Sequence, residues 1–230
     1  LNMLKKLILA AISASFVIST AFADSTNVGV RLSSSTLSAT GTQTVDKAGS
    51  NSGGAAATHA EKEATFVLPS IFAEREFDLN TGSIAIGLDY VPLTAEVDKL
   101  GGGDGTDATV KAGNLMTLYV QPSYAINDNI KLFGKIGYAH GDLEISDITR
   151  QATAASQTND AASTDTTASK SLEGPVYGLG AQYNKGEGTF LRLEATRTDF
   201  DEISHTNSNG KILKADSEMD LITFTIGKSF

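Results

Sequence analysis

Three histidines, His59, His140 and His205, are the first residues in this sequence that suggest chemistry. His140 lies beside Asp142, and Asp199, Asp201 and His205 fall together later in the chain. Acid and imidazole groups serve hydrolysis when a nucleophile, a base and an orienting group stand within hydrogen-bond reach. Nothing in the spacing supplies that geometry, and a solvated rim is the plainer reading. No HxH or HExxH pattern occurs, so a built metal site is not expected. The stretch "GGGDGTDATV" places Gly102, Gly103, Gly105 and Asp107 as in a calcium-binding nonapeptide, but that motif works by stacking repeats and one copy is present. It lacks the Gly-Lys-Ser/Thr of a phosphate loop and reads as a loop. No catalytic residue, metal or cofactor is expected.

A second set of charges has a clearer pattern. Arg31, Glu74, Glu76, Asp89, Lys131, Lys135, Arg192 and Glu194 include as many acids as bases, and each sits on the polar side of an alternating stretch. Were that side closed off from water, the charges would have to pair, because an unpaired buried charge is costly. The expectation is a neutral ion-pair lattice in a filled interior.

The elements that must carry these groups are strands. Period-2 alternation recurs from "NVGVRLSSS" onward, and helical periodicity does not. Further segments are "ATFVLPSIFAEREFDL", "GSIAIGLDY", "LMTLYVQPSYAI", "NIKLFGKIGYAHGDLEI", "GPVYGLGAQY", "GTFLRLEATRTDF" and the closing "DLITFTIGKSF". The count is eight. "DLNTG", "NDN" and "NKGEG" are tight turns of the Asn/Asp/Gly kind that hairpins demand. Between them, residues 36–63, 98–114, 149–171 and 203–217 read as long loops rich in Thr, Ser, Ala, Asn, Asp and Gly. The long loops all fall at one end of the sheet. Pro69 and Pro122 each remove a ladder donor, and bulges are expected there.

"LKKLILAAISASFVISTAFA" carries Lys5 and Lys6 ahead of an apolar core, with Ala21-Phe22-Ala23 as a small-x-small cleavage site. Residues 1–23 are therefore expected to be a secretory signal peptide, leaving 24–230 as one domain. The 27 acidic side chains exceed the 18 basic ones, which disfavours nucleic acid as a partner. Cysteine is absent, so an exported chain must rely on a core or a membrane. No later apolar run is long enough for a membrane helix.

Alternation alone leaves open which face is outside. A soluble barrel packs its apolar parity inward, and a membrane barrel turns it to lipid. Three features favour lipid. The polar parity is rich in Gly, Ser and Thr, as at Gly29, Ser70, Gly87, Ser123, Gly178, Gly180, Thr196 and Ser229. Its charges balance. Tyr90, Tyr138, Tyr177, Tyr183 and Phe230 lie near strand ends, where interfacial aromatic girdles belong.

Here the chain resembles the small eight-stranded outer-membrane barrels of the OmpA/OmpX and opacity-protein kind. The likeness rests on "ITFTIGKSF", with Ile222, Phe224, Ile226 and Phe230, and on "GPVYGLGAQYNKGEGTFLRLEATRTDF". It is strongest over residues 129–230. Lys228 departs from the usual apolar third-from-last residue and would have to snorkel. The resemblance implies an all-β, eight-stranded antiparallel up-and-down transmembrane β-barrel in the Gram-negative outer membrane. It implies lipid and lipopolysaccharide as surroundings, and the outer-membrane assembly machinery as reader of Ile222, Phe224, Ile226 and Phe230. The function it implies is structural or surface-interactive, through four long extracellular loops whose ligand the sequence does not name. A narrow porin-like channel, an outer-leaflet hydrolase and a soluble secreted binder are the rivals. Outer-membrane proteases also carry acids and histidines at the outer rim, but on ten strands and a longer chain.

Overall fold

The structure, a computed structural model, describes residues 25–45, 58–79, 81–92, 95–102, 106–150, 167–206 and 211–230. The expected signal peptide and Gly103 to Gly105 lie outside the described residues. Nine strand segments follow one another: β1 (Ser25–Val45), β2 (Thr58–Leu79), β3 (Gly82–Val91), β4 (Ala95–Gly102), β5 (Thr106–Ala125), β6 (Ile130–Arg150), β7 (Thr167–Gly186), β8 (Thr189–Thr206) and β9 (Lys211–Ser229). β3 and β4 are two lengths of one barrel strand, broken after Val91 at Pro92, and both pair with β5. Every ladder is antiparallel. The order β3-β2-β1-β9-β8-β7-β6-β5, with β3 pairing back to β5, closes an eight-stranded ring.

The first and last strands seal the ring in register, with Val30 opposite Ile226 and Leu32 opposite Phe224. Phe230 extends the seam by exchanging backbone hydrogen bonds with Thr26 at 2.9 and 3.0 Å. Just past the end of β9, Phe230 thereby keeps its backbone N–H and C=O bonded.

The tight turns behave as their composition demands. Asn127 accepts the backbone N–H groups of Asn129 and Ile130 on its side-chain oxygen, each at 2.9 Å. Gly186, Glu187 and Gly188 all adopt positive φ, which two glycines make affordable in so short a reversal.

Two expectations fail. The described parts of the stretches read as long loops are strand: β1 runs on to Val45, β2 begins at Thr58, and β4 and β5 occupy most of 98–114, while 46–57, 103–105, 151–166 and 207–210 lie outside the described residues. β6 likewise reaches Arg150 and β7 begins at Thr167. Their Thr, Ser and Ala content hid a continuing ladder, because weak side-chain packing does not prevent backbone pairing along an established register. Nor do the prolines make bulges. Pro69 pairs with Leu32 without a shift in register, and the β2–β3 ladder stops at Ile71, two residues short of it. The β5–β6 ladder skips Gln121 and Pro122 between two in-register pairs. Each missing donor falls where a ladder has a gap. The register shifts that do occur at Gly113/Met116 and Phe200/Ile203 mark the upper rim, with Asn114 at φ 51° in the first.

Strands of 18 to 22 residues far exceed the roughly 9–11 that cross a bilayer. The ring therefore has a lower, membrane-level part and an upper part beyond it. Val28, Val30, Leu32, Ile71, Ile136, Leu179, Leu193, Ile222, Phe224 and Ile226 face outward and exposed around the lower part. Tyr90, Tyr138 and Tyr177 ring its upper edge, and Tyr124, Tyr183 and Phe230 stand at the turn end. Above the tyrosines the parities exchange character. Leu37, Leu68, Val91, Leu172, Val176, Phe200 and Met219 point inward into one buried apolar cluster, while Ser38, Glu63, Asp201 and Asp220 face out.

Candidate functional site

The membrane-level lumen holds all eight charges named from the sequence, and it brings them into three linked groups. Around Glu74, the Arg192 guanidinium donates to both carboxylate oxygens at 2.6 and 3.1 Å. Asn27 donates to Glu74 at 3.0 Å, and the Tyr119 hydroxyl donates to it at 2.8 Å. Arg192 turns its remaining donors to Gln182, at 2.7 and 2.9 Å. Around Glu194, Lys135 donates to both oxygens at 2.7 Å and Arg31 to one at 3.2 Å. Arg31 also donates to Asp89 at 2.7 Å and reaches the Tyr119 oxygen at 3.4 Å, so Tyr119 joins these two groups. Toward the turns, Asn27 donates to Glu76 at 2.9 Å, and Lys131 and Ser83 bond the same carboxylate. Asn27 thus links Glu74 to Glu76.

This arrangement meets what buried charge requires. Arg192 is 1 % exposed and Glu74 3 %, a setting in which an unpaired ion would be severely destabilising. Every acid has at least one cation, and bidentate geometry fixes the most buried pair.

Aromatic rings fill the space between the ions, and their place was missed in the sequence. Arg192 lies 4.9 Å from the Phe190 ring centre, 5.3 Å from Phe133 and 5.5 Å from Phe72. Arg31 lies 4.5 Å from Phe72, and the Lys135 ammonium 4.4 Å from Tyr119. Phe72 and Phe190 meet edge to face at 6.3 Å. Each ring stands opposite a glycine in register: Phe72 against Gly29, Tyr119 against Gly87, Phe133 against Gly180 and Phe190 against Gly227. A Cβ at Gly87, Gly180 or Gly227 would overlap the facing ring. The signal was present, since aromatic-against-glycine pairing on the polar parity is readable once the register is known.

The upper tier closes the lumen a second time. The apolar cluster leaves a cavity of about 30 Å³ among Leu37, Phe66, Leu68, Val91, Leu115 and Met219. Such a space holds one or two water-sized bodies and offers an ion no polar partner.

The rim residues considered for hydrolysis are not brought together. His140 pairs with Glu173 at 3.0 Å, Asp142 accepts from Asn114 at 3.1 Å, Asp199 from Tyr177 at 2.9 Å and Asp201 from Tyr138 at 3.4 Å. Each has a different neighbour. The side chains of His59 and His205 lie outside those described. Arg197 clamps Asp220 at 2.6 and 2.7 Å on the outer wall; the pair holds the carboxyl below, and the guanidinium above, its ordinary range. No group of three or more His, Cys, Asp or Glu suited to a metal occurs among the described residues.

The C-terminal residues Ile222, Phe224 and Ile226 lie on the lipid side of the closing strand, and Phe230 is 75 % exposed at its end. Lys228 reaches the carbonyl of Glu187 in the neighbouring turn.

An antiparallel ring with an apolar outer band and an ion-paired lumen is a transmembrane β-barrel of the outer-membrane class. The chain belongs to the outer membrane protein beta-barrel domain family, which it matches over residues 7–227. It is similar in fold to the outer membrane protease OmpT of Escherichia coli, at 10 % identity over 93 % of this chain and 99 % of that one, with a TM-score of 0.50. It is similar also to Ail, the attachment invasion locus protein of Yersinia pestis, at 14 % identity over 90 % and 98 % and a TM-score of 0.48. OprG of Pseudomonas aeruginosa aligns at 13 % identity over 88 % and 96 %, with a TM-score of 0.45. At 10 % identity the likeness to OmpT speaks to the fold alone. No curated protein matches the chain.

Proposed function

We propose that this outer-membrane barrel is a sealed anchor for surface interaction, and that neither conduction nor hydrolysis is its task. The observation that carries the reading is the doubly closed lumen: charged side chains fill the membrane level, and apolar ones fill the level above. A lumen stopped by ions locked to one another and then by a water-poor layer is ill suited to solute flow. What remains free to act is the wall that rises beyond the bilayer, with the connections at its top. The barrel would sit among lipid and lipopolysaccharide. Ile222, Phe224, Ile226 and Phe230 would form the segment read by the assembly machinery, after export directed by residues 1–23.

The direct test is conductance in planar bilayers with folded protein. The expected record is silent, and large steady openings would overturn the sealed lumen in favour of a porin-like path. Hydrolysis would be excluded by unchanged lipids and peptides after incubation with the barrel.

A further inference from the structure

The lumenal charges are divided unevenly along the chain. At membrane level the first four barrel strands, β1 to β5, supply Arg31, Glu74, Glu76 and Asp89, three acids and one base. The last four, β6 to β9, supply Lys131, Lys135, Arg192 and Glu194, three bases and one acid. Each half makes one pair from its own strands, Arg31 with Asp89 in the first and Lys135 with Glu194 in the second, both at 2.7 Å. That leaves Glu74 and Glu76 in one half against Lys131 and Arg192 in the other.

These surplus charges meet only across the lumen. Arg192 reaches Glu74 at 2.6 Å, and Lys131 reaches Glu76 at 2.6 Å. Arg31 adds a third link between the halves, to Glu194 at 3.2 Å. Around the ring, β2 lies three strands from β8 in one direction and three from β6 in the other. No hairpin can bring either pair together. Before closure, Glu74 and Glu76 stand two residues apart on one face of β2, linked by the neutral Asn27. Lys131 and Arg192 flank Gln182 in one row across β6, β7 and β8. An unclosed sheet therefore carries an acidic face on one half and a basic face on the other. The seam that closes it joins residues as distant in sequence as Asn27 and Ser229, the largest loop in the fold and a late one to form.

We propose that this division is a closing device: the acidic surplus of the first four strands draws in the basic surplus of the last four and speeds the sealing of β1 to β9. Opposite fields on two surfaces raise the rate at which they meet more than they raise the final affinity. Here the two surfaces are halves of one chain. Neutrality of the finished lumen does not require the division, because any pairing of four acids with four bases would supply it. The device acts while the barrel forms, and a silent or a conducting lumen leaves it untouched.

The Glu76–Lys131 pair is the place to test it, since Lys131 is 22 % exposed and its site tolerates exchange better than the deeper pair. Glu76→Gln with Lys131→Gln removes one link. Glu76→Lys with Lys131→Glu keeps an opposite pair in the finished lumen but leaves each half without surplus charge. Both double variants preserve the net charge of −9. The full chains are refolded from urea into phosphatidylcholine vesicles, and the folded band in unheated detergent gels is followed in time. In about 0.01 M salt, with a screening length of about 30 Å, the parent should fold about threefold or more faster than either variant. In about 1 M salt, where that length is about 3 Å, the three rates should converge. The urea midpoint of the exchanged chain should stay near the parent's, which separates closure from stability. An exchanged chain that folds as fast as the parent at low salt would overturn the proposal, since pairing alone would then suffice. A parent advantage that ignores salt would overturn it too, and would place the cause in contacts of the finished lumen. Should the exchanged chain not fold, the double-glutamine chain decides alone, and a parental rate at low salt would sink the device.

Discussion

The same strands run through two environments, and their two halves obey opposite rules. At membrane level β1 turns Val28, Val30 and Leu32 outward and keeps Asn27, Arg31, Ser33 and Ser35 inside; higher up it turns Ser38 out and Leu37 in. β8 makes the same exchange, from Leu193 out and Glu194 in to Asp201 out and Phe200 in. β9 follows, with Phe224 out and Thr225 in below, and Asp220 out and Met219 in above. Along the β1–β9 seam the backbone ladder is continuous across the change. A closed sheet does not dictate which of its faces is apolar; the solvent on its outer side does. Lipid asks for a membrane barrel's pattern and water for a soluble barrel's, and one set of strands satisfies both in turn.

The sharpest way to break the lower half is to remove one member of its most buried pair. Arg192→Met leaves Glu74 without its bidentate partner, and a loss of about 3–5 kcal/mol is expected in denaturant unfolding from vesicles. Adding Glu74→Leu to the same chain should recover most of that loss, because two apolar groups need no partner. If the double change were as damaging as the single one, the lattice would be doing more than neutralising itself.

Outward positions on a single strand test the exchange directly. Val30→Arg, at membrane level, should cost about 2–4 kcal/mol, the range for a cation placed on the lipid face near midplane. Ser38→Arg, on the same parity of the same strand but above the bilayer, should stay within about 0.5 kcal/mol, as surface changes in water do. Equal costs would mean that lipid extends further up the wall than the side chains indicate. Inside the upper tier, Met219→Ala should cost about 2 kcal/mol through the cavity it leaves. That loss should not vary with bilayer thickness, whereas the cost at Val30 should.

How much of this was legible depended on which half was being read. The lower half declared itself because lipid-facing alternation is strong: Ile222, Phe224 and Ile226 need no register to be recognised. The eight charges were found by parity alone, since a polar side chain on the apolar strand's other face has only the lumen to enter. Asn27, Gln182 and Tyr119 sat on the same parity, but nothing marked them as linkers until the register placed them beside carboxylates. The upper half hid for a different reason. Its inward apolar residues, such as Leu37 and Leu68, have opposite parity to the lipid-facing ones below, so the exchange breaks each strand's period. Its outward residues are Ser, Thr and acids, which are what loops also carry. Strand continuity there is carried by backbone pairing, and backbone pairing has no side-chain signature.

The smallest effect belongs to the boundary between the halves. Arg197 and Asp220 pair across β8 and β9 on the outer wall, just above the apolar band. The hydrogen bonds from Arg197 lower the Asp220 pKa in the folded barrel. A carboxyl depressed on folding adds stability that is complete above its unfolded value, about pH 4, and is lost as pH falls through the folded value. Asp220→Asn should therefore be slightly less stable than the parent at pH 7 and indistinguishable from it once the pH is low enough to protonate the folded carboxyl. Both groups are well exposed, so the difference should also shrink as salt is raised. A gap that persisted in acid would place the value of Asp220 in packing against its neighbours, and a gap that ignored salt would mean that this point of the wall lies within the membrane's low-dielectric layer.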